Sequence, residues 1–163
     1  MMMQFGQLLQ RIADTGIDFV IVGGFAAVTH GASYLTRDID LCLVLSPENV
    51  ERLRNALADL NPRHRMTPQR LSFLTHPSPG QAVQNLHLQT DAGVVDMLSS
   101  VLGVGDFARL KSNADELVVD GRTYRVMSLS DLIASKEALG REKDLLTAKE
   151  LRALAAKRSE GAV

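Results

Sequence analysis

The stretch that decides the fold reads Phe19-Val20-Ile21-Val22-Gly23-Gly24, then thirteen residues, then Asp38-Ile39-Asp40-Leu41-Cys42-Leu43-Val44. Phe19 to Val22 is a continuous apolar run, the pattern of a strand buried on both faces. Gly23-Gly24 breaks the run, and a short helix is predicted over Phe25 to His30, closed by Gly31. A second buried strand is predicted over Ile39 to Val44. Side chains two apart on a strand share a face, so Asp38 and Asp40 emerge together while Ile39 and Leu41 enter the core. Carboxylates this close repel, and a hard cation relieves the repulsion. Taken alone, Asp-x-Asp also fits a solvated strand edge. The glycine pair permits close backbone approach, and the following helix start offers free amides to a phosphate. Taken alone, Gly-Gly also fits a tight turn. It is neither a dinucleotide fingerprint nor a P-loop, because no Gly-x-Gly-x-x-Gly and no Gly-Lys-Ser/Thr is present.

A third acid, Asp96, lies inside the apolar run Val94-Val95-Asp96-Met97-Leu98. Burying a lone carboxylate is costly unless it is paired or metal-bound; a strand-end aspartate facing water is the alternative. Outward from these strands, apolar residues at 5, 8, 9, 12 and 13 have helical spacing, and Gly16 ends that helix. Ser46 before Pro47 is a helix start, and that helix is predicted to run to about Leu60. Residues 61–80 hold four of the five prolines and read as loop, with a short strand expected at Leu71 to Leu74. Leu86 and Leu88 alternate with polar neighbours, Asp91-Ala92-Gly93 turns, and Val94 to Leu98 returns. A second hairpin is signalled by Leu117 to Val119, Asp120-Gly121 and Tyr124 to Met127. After a cap at Ser128 or Ser130, two helices are predicted, Asp131 to Leu139 and about Lys143 to Lys157. The order gives α/β or α+β with a mixed sheet flanked by helices, two of them C-terminal, in one domain over residues 1–158 with a frayed tail at 159–163.

The net charge of −1 argues against broad DNA binding, which needs many basic contacts to phosphate. No stretch approaches the ~20 apolar residues of a membrane span. The N-terminal ten residues lack a positive region before their apolar ones, so no signal peptide is expected. The single cysteine, Cys42, fits a reducing cytosol and reads as a packed residue rather than a ligand. His30 reads first as a helix cap.

Together, Val22-Gly23-Gly24, Asp38-Ile39-Asp40-Leu41 and Val95-Asp96-Met97 resemble the DNA polymerase beta-like nucleotidyltransferase superfamily. His30-Gly31, Thr36, Cys42, the stretch from Ser130 to Lys136, and Gly140-Arg141-Glu142-Lys143-Asp144 are similar to small bacterial members of the abortive-infection and toxin type. The resemblance covers about Phe19 to Leu154. It implies a minimal nucleotidyltransferase fold. It also implies a Mg²⁺-dependent enzyme that moves a nucleoside monophosphate from a nucleoside triphosphate to a hydroxyl of an RNA end, a protein or a small molecule. Asp38, Asp40 and Asp96 would be catalytic and hold metal, with Gly23, Gly24, Thr36 and Lys136 on the nucleotide. Lys136 also fits a lysine whose stem covers apolar surface. Implied partners are the triphosphate, the acceptor and, for a toxin, a cognate antitoxin or other partner protein. Gly24 stands where many active members have serine, and Tyr34 where several have arginine. These departures feed a second expectation, a non-catalytic nucleotide-binding or antitoxin-like module that keeps the fold. An antibiotic-modifying transferase would differ from the first expectation only in its acceptor.

Overall fold

The computed structural model describes residues 2–33 and 38–161, the side chains of residues 2–5 excepted. Tyr34 and Thr36, singled out above, lie outside the described residues. The chain opens with α1 (Met2–Asp14), which buries Leu8, Leu9 and Ile12 completely. Strand β1 (Val20–Val22) follows, then α2 (Gly23–Thr29), β2 (Asp38–Cys42) and α3 (Pro47–Leu57), which a 3-10 turn extends over Ala58–Leu60. Ser46 caps α3 by accepting the Asn49 N–H at 3.1 Å, with Pro47 at the first helical position. Next come β3 (Arg63–His64), β4 (Asn85–Thr90) and β5 (Gly93–Leu98). A small hairpin of β6 (Ser100–Val101) and β7 (Gly105–Asp106) leads into α4 (Phe107–Ser112). The hairpin β8 (Asp115–Val119) and β9 (Arg122–Val126) precedes the last two helices, α5 (Leu129–Leu139) and α6 (Glu142–Gly161).

Seven strands form one mixed sheet in the order β3-β4-β5-β2-β1-β9-β8. Strand β2 is antiparallel to β1 and parallel to β5, β1 is parallel to β9, and the hairpins add the outer antiparallel pairs. The expected mixed sheet flanked by helices, two of them C-terminal, is the one found. Ile39, Leu41, Val95 and Met97 are fully buried, so the alternating positions of β2 and β5 present their acids on the other face.

Four local features depart from the sequence reading. Residues 71–74 make no strand; Ser72 contributes only an isolated bridge to Arg63. The loop holding them is tied down instead by buried Arg54 of α3, which donates to the carbonyls of Phe73 and Pro77 while Phe73 enters the core. The β6–β7 hairpin and α4 carry too few residues for periodicity to reveal. Helix α6 continues through residues 159–161, expected to fray. The β4–β5 turn contains Asp91 and Ala92 alone, because Thr90 pairs with Gly93.

The β6–β7 tip is seated on α5 through Gly103, whose φ of +82° is combined with a close approach. A Cβ there would stand 2.6 Å from Ala138 Cβ and 2.9 Å from the Ala134 carbonyl oxygen. Gly80 has the same φ with nothing within 4 Å, which makes it an internal control. Gly103→Ala is expected to lower Tm by roughly 4–10 °C, several degrees more than Gly80→Ala, the excess being the clash beyond backbone strain. Paired thermal melts check this; equal losses would mean that the tip is not seated on α5.

Candidate active site

The register of β2 on β5 sets Asp40 directly beside Asp96, and Asp38 beside Val94. Neighbouring strands lie about 4.8 Å apart, so register partners on one face are in near contact. All three acids of the sequence pattern therefore share a face, with Asp38 and Asp40 on one strand and Asp96 on the next. Asp96 is buried at 7% exposure.

Asp40 is shaped by α2 as much as by β2. Gly23 has φ +68°, and a Cβ on it would fall 2.1 Å from Asp40 Oδ2. The first glycine of the pair thus makes room for a carboxylate as well as a turn. Val22 at the start of α2 supplies no side-chain cap; the Gly24 N–H donates to Asp40 instead. Even so, burial, then the charges of Asp96 and Asp38, push the Asp40 carboxyl up to about 6.

Asp40, Asp96, Gly23 and Gly24 open onto a cleft of about 290 Å³. Lys136 and Ser135 of α5 line its opposite side with Arg141, while Leu98, Val101, Leu102 and Leu139 form an apolar wall. The Lys136 side chain is only 15% exposed, with Nζ 3.9 Å from Asp144 Oδ1. Burial lowers its ammonium below the usual lysine range, while the charges of Asp144 and Asp40 hold it up. Asp144 is buried under Arg141, which donates from Nε at 2.5 Å and Nη2 at 3.2 Å. Asp144 thus anchors the two cations, and Lys136 is the one that the charge of Asp40 reaches.

His30 and Cys42 stand away from this cleft. His30 Nε2 lies 2.8 Å from the Met127 carbonyl, its ring buried behind α2. Cys42 is fully buried, and burial raises its thiol to about 11, which leaves it a protonated packing residue.

Two site residues were not singled out by the sequence reading. His87 of β4 pairs in register with Asp96. Arg65, just beyond β3, grips Asp96 with Nε at 3.1 Å and Nη2 at 2.5 Å. Among the described residues no three of His, Cys, Asp or Glu gather closely enough to hold one ion. The three acids share a face without closing into a three-ligand cluster, and Asp96 is committed to the Arg65 fork. The donors still suit a hard cation: they are carboxylate oxygens, and Asp40 carries uncompensated charge.

No family model matches the sequence, and no curated protein does. Solved structures do match. The lincosamide antibiotic adenylyltransferase LnuA, in a lincomycin-bound crystal structure, superposes with a TM-score of 0.61 at 14% identity, over 93% of this chain and 96% of that one. The chain has the nucleotidyltransferase fold. The antibiotic-resistance factor ANT(2'')-Ia gives 0.55 at 16% identity, over 99% and 92% of the two chains. An antigenic nucleotidyltransferase-like protein from Paracoccidioides brasiliensis gives 0.52 at 13% identity, over 91% and 72%. The nucleotidyltransferase fold expected from the glycine pair and the three acids is thus the one that these neighbours share. Among the described residues no helix is long and apolar enough to cross a membrane.

The raised Asp40 has a definite consequence for stability. Its folded value of about 6 lies above the ordinary carboxyl value of 3.8, so the folded state binds the proton more tightly. This group's contribution to stability is complete below pH 4 and is lost as pH rises through 6. Asp40→Asn is therefore expected to stabilise the metal-free protein by on the order of 1–3 kcal/mol at pH 7.5 and to have little effect at pH 4. Urea unfolding at both values checks the sign; destabilisation at pH 7.5 would make Asp40 a structural anchor.

Proposed function

We propose that this chain is a Mg²⁺-dependent nucleotidyltransferase that moves a nucleoside monophosphate from a nucleoside triphosphate to a hydroxyl of a small molecule. The observation that carries this reading is Asp40 beside Asp96 at one end of a cleft that also holds the glycine pair and Lys136. Asp40, flanked by Asp38 on its own strand and Asp96 on the next, would be the centre of the cation site; the cation when bound supplies charge neutralisation for the triphosphate and for the departing pyrophosphate. Gly23 and Gly24 present backbone without side chain to the phosphates. Lys136, whose side chain is largely buried and lines the same cleft, adds a positive charge there. Thr36 belongs to the proposed nucleotide contacts by resemblance.

The acceptor oxygen forms a bond to the α-phosphorus, the bond from that phosphorus to the bridging oxygen breaks, and pyrophosphate leaves. Asp96 accepts the acceptor's proton, a role open to a carboxylate within reach of the reacting hydroxyl. In such transfers positioning and charge neutralisation supply most of the acceleration, which suits a site of acids, glycines and one buried lysine.

The acceptor class follows from the shape of the cleft and from the neighbours. A cleft of about 290 Å³ with one apolar wall is at the size of small-molecule sites, which start near 300 Å³. LnuA is described with lincomycin bound, and ANT(2")-Ia in complex with adenylyl-2"-tobramycin. Both support a small hydroxylated acceptor over an RNA end or a protein. A toxin role with a cognate antitoxin draws no support from these neighbours. A reducing cytoplasmic location is proposed on Cys42 alone.

Incubation with each α-labelled triphosphate, Mg²⁺, a panel of small hydroxylated molecules including a lincosamide and an aminoglycoside, and cell RNA and protein tests this reading. Label is expected on a small molecule and is expected to fall ~10³-fold in Asp40→Asn. Label on RNA or protein overturns the acceptor class. No label, with or without Mg²⁺-dependent nucleotide binding, would favour the non-catalytic module. Lys136→Ala is expected to weaken binding of a fluorescent triphosphate roughly 10- to 150-fold, the loss of one charge-assisted contact. Lys136→Arg should recover only part of it, because a planar fork does not replace a point charge. Unchanged affinity in Lys136→Ala would remove this lysine from the phosphates.

A further inference from the structure

Arg65, His87, Asp96 and Asp40 form one row across the sheet. The β4–β5 register pairs His87 with Asp96, and the β5–β2 register pairs Asp96 with Asp40. The Arg65 N–H donates to the His87 carbonyl at 3.0 Å, which extends the row past β3. Asp96 is thus flanked by a like charge on one side and by an imidazole on the other. His87 Nδ1 stands 3.1 Å from Asp96 Oδ1 but outside hydrogen-bonding geometry, and among the described residues it has no hydrogen-bond partner. The charge of Asp96 is therefore met by Arg65, whose fork engages both carboxylate oxygens.

A buried carboxylate beside a second carboxylate is relieved by a cation or by a proton shared between them. Arg65 supplies the cation. A divalent ion shared between Asp40 and Asp96 would need the same oxygens and would repel the guanidinium beside it. The two cations compete for one carboxylate. The Arg65 side chain is 28% exposed and emerges from a turn, so it has a path to water.

We propose that Arg65 is the resident counter-ion of the cation site: it holds Asp96 in the metal-free protein and is displaced when a divalent ion takes up the neighbouring Asp40 and Asp96 carboxylates. This rests on the reading of Asp40 and Asp96 as a cation site. Arg65 is then a positioning residue that weakens the apparent metal affinity.

The test is calorimetric titration of Mn²⁺, without nucleotide, into wild type, Arg65→Gln, Arg65→Lys and Asp40→Asn, each first checked by thermal melt. Arg65→Gln removes the charge and the fork, and it is expected to bind Mn²⁺ roughly tenfold more tightly than wild type, in line with loss of a charge-assisted contact. Arg65→Lys keeps a charge without the fork and is expected to fall between them. If Arg65 instead braces Asp96 for the ion, Arg65→Gln binds more weakly, and if it stands apart from the site, affinity is unchanged; either result overturns the proposal. Should Arg65→Gln fail to fold, Arg65→Lys carries the decision, since only competition tightens binding there. Unchanged Mn²⁺ affinity in Asp40→Asn overturns the underlying reading of the site, and the proposal with it. Loss of affinity in Asp40→Asn with no gain in the Arg65 variants overturns the proposal alone.

Discussion

Two carboxylates, Asp40 and Asp96, stand side by side because β2 and β5 run parallel in a register that pairs them. Neither can turn away. Ile39 and Leu41 on one strand and Val95 and Met97 on the other are wholly buried and hold the backbone with the acids outward. The rest of the site accommodates this repulsion. Gly23 lacks a side chain where the Asp40 carboxylate lies, α2 begins with its Gly24 amide on that carboxylate, and Arg65 neutralises its neighbour. A site under such charge strain is poised for a cation, and it explains a carboxyl raised to about 6 close to a helix start.

The opposite side of the cleft is built from different material. α5 brings Lys136 and Ser135, and α6 brings Asp144, which holds Lys136 and Arg141 in place. The β6–β7 hairpin adds the apolar wall, seated on α5 through Gly103. One side of the cleft is therefore rigid sheet carrying negative charge, and the other is helical, with cations beside an apolar surface. A triphosphate and a small acceptor need that pairing of chemistries, since phosphates meet cations and an acceptor's carbon frame meets leucines.

Much of this was legible in the chain. Continuous apolar runs marked β1, β2 and β5, and the serine caps of α3 and α5 were readable, with Ser128 accepting the Asp131 N–H at 3.1 Å. The two-residue period placed Asp38 and Asp40 on one face. What was not legible depended on register or on long-range anchoring. Taking Asp91-Ala92-Gly93 as the turn would set Leu88 opposite Asp96; with Asp91 and Ala92 alone in the turn, His87 stands there. A one-residue slip exchanges the faces of a strand, so His87 was lost with it. No short turn joins β2 to β5, so local sequence could not state that Asp40 pairs with Asp96. Arg65 sits in a proline-rich stretch whose path is set by Arg54, far away on α3. Lys136 was found through the resemblance, since a lysine amid leucines has no periodic signature of its own.

The central claim is that the paired carboxylates and the glycine turn form one centre for a cation and a triphosphate. Anomalous diffraction from crystals grown with Mn²⁺ and a triphosphate bearing a non-cleavable α,β-bridge tests it most directly. The account predicts a manganese peak bound by Asp40 with Asp38 or Asp96, with the phosphates over Gly23-Gly24 and facing Lys136. A triphosphate seated elsewhere, or manganese bound away from Asp40, would contradict it.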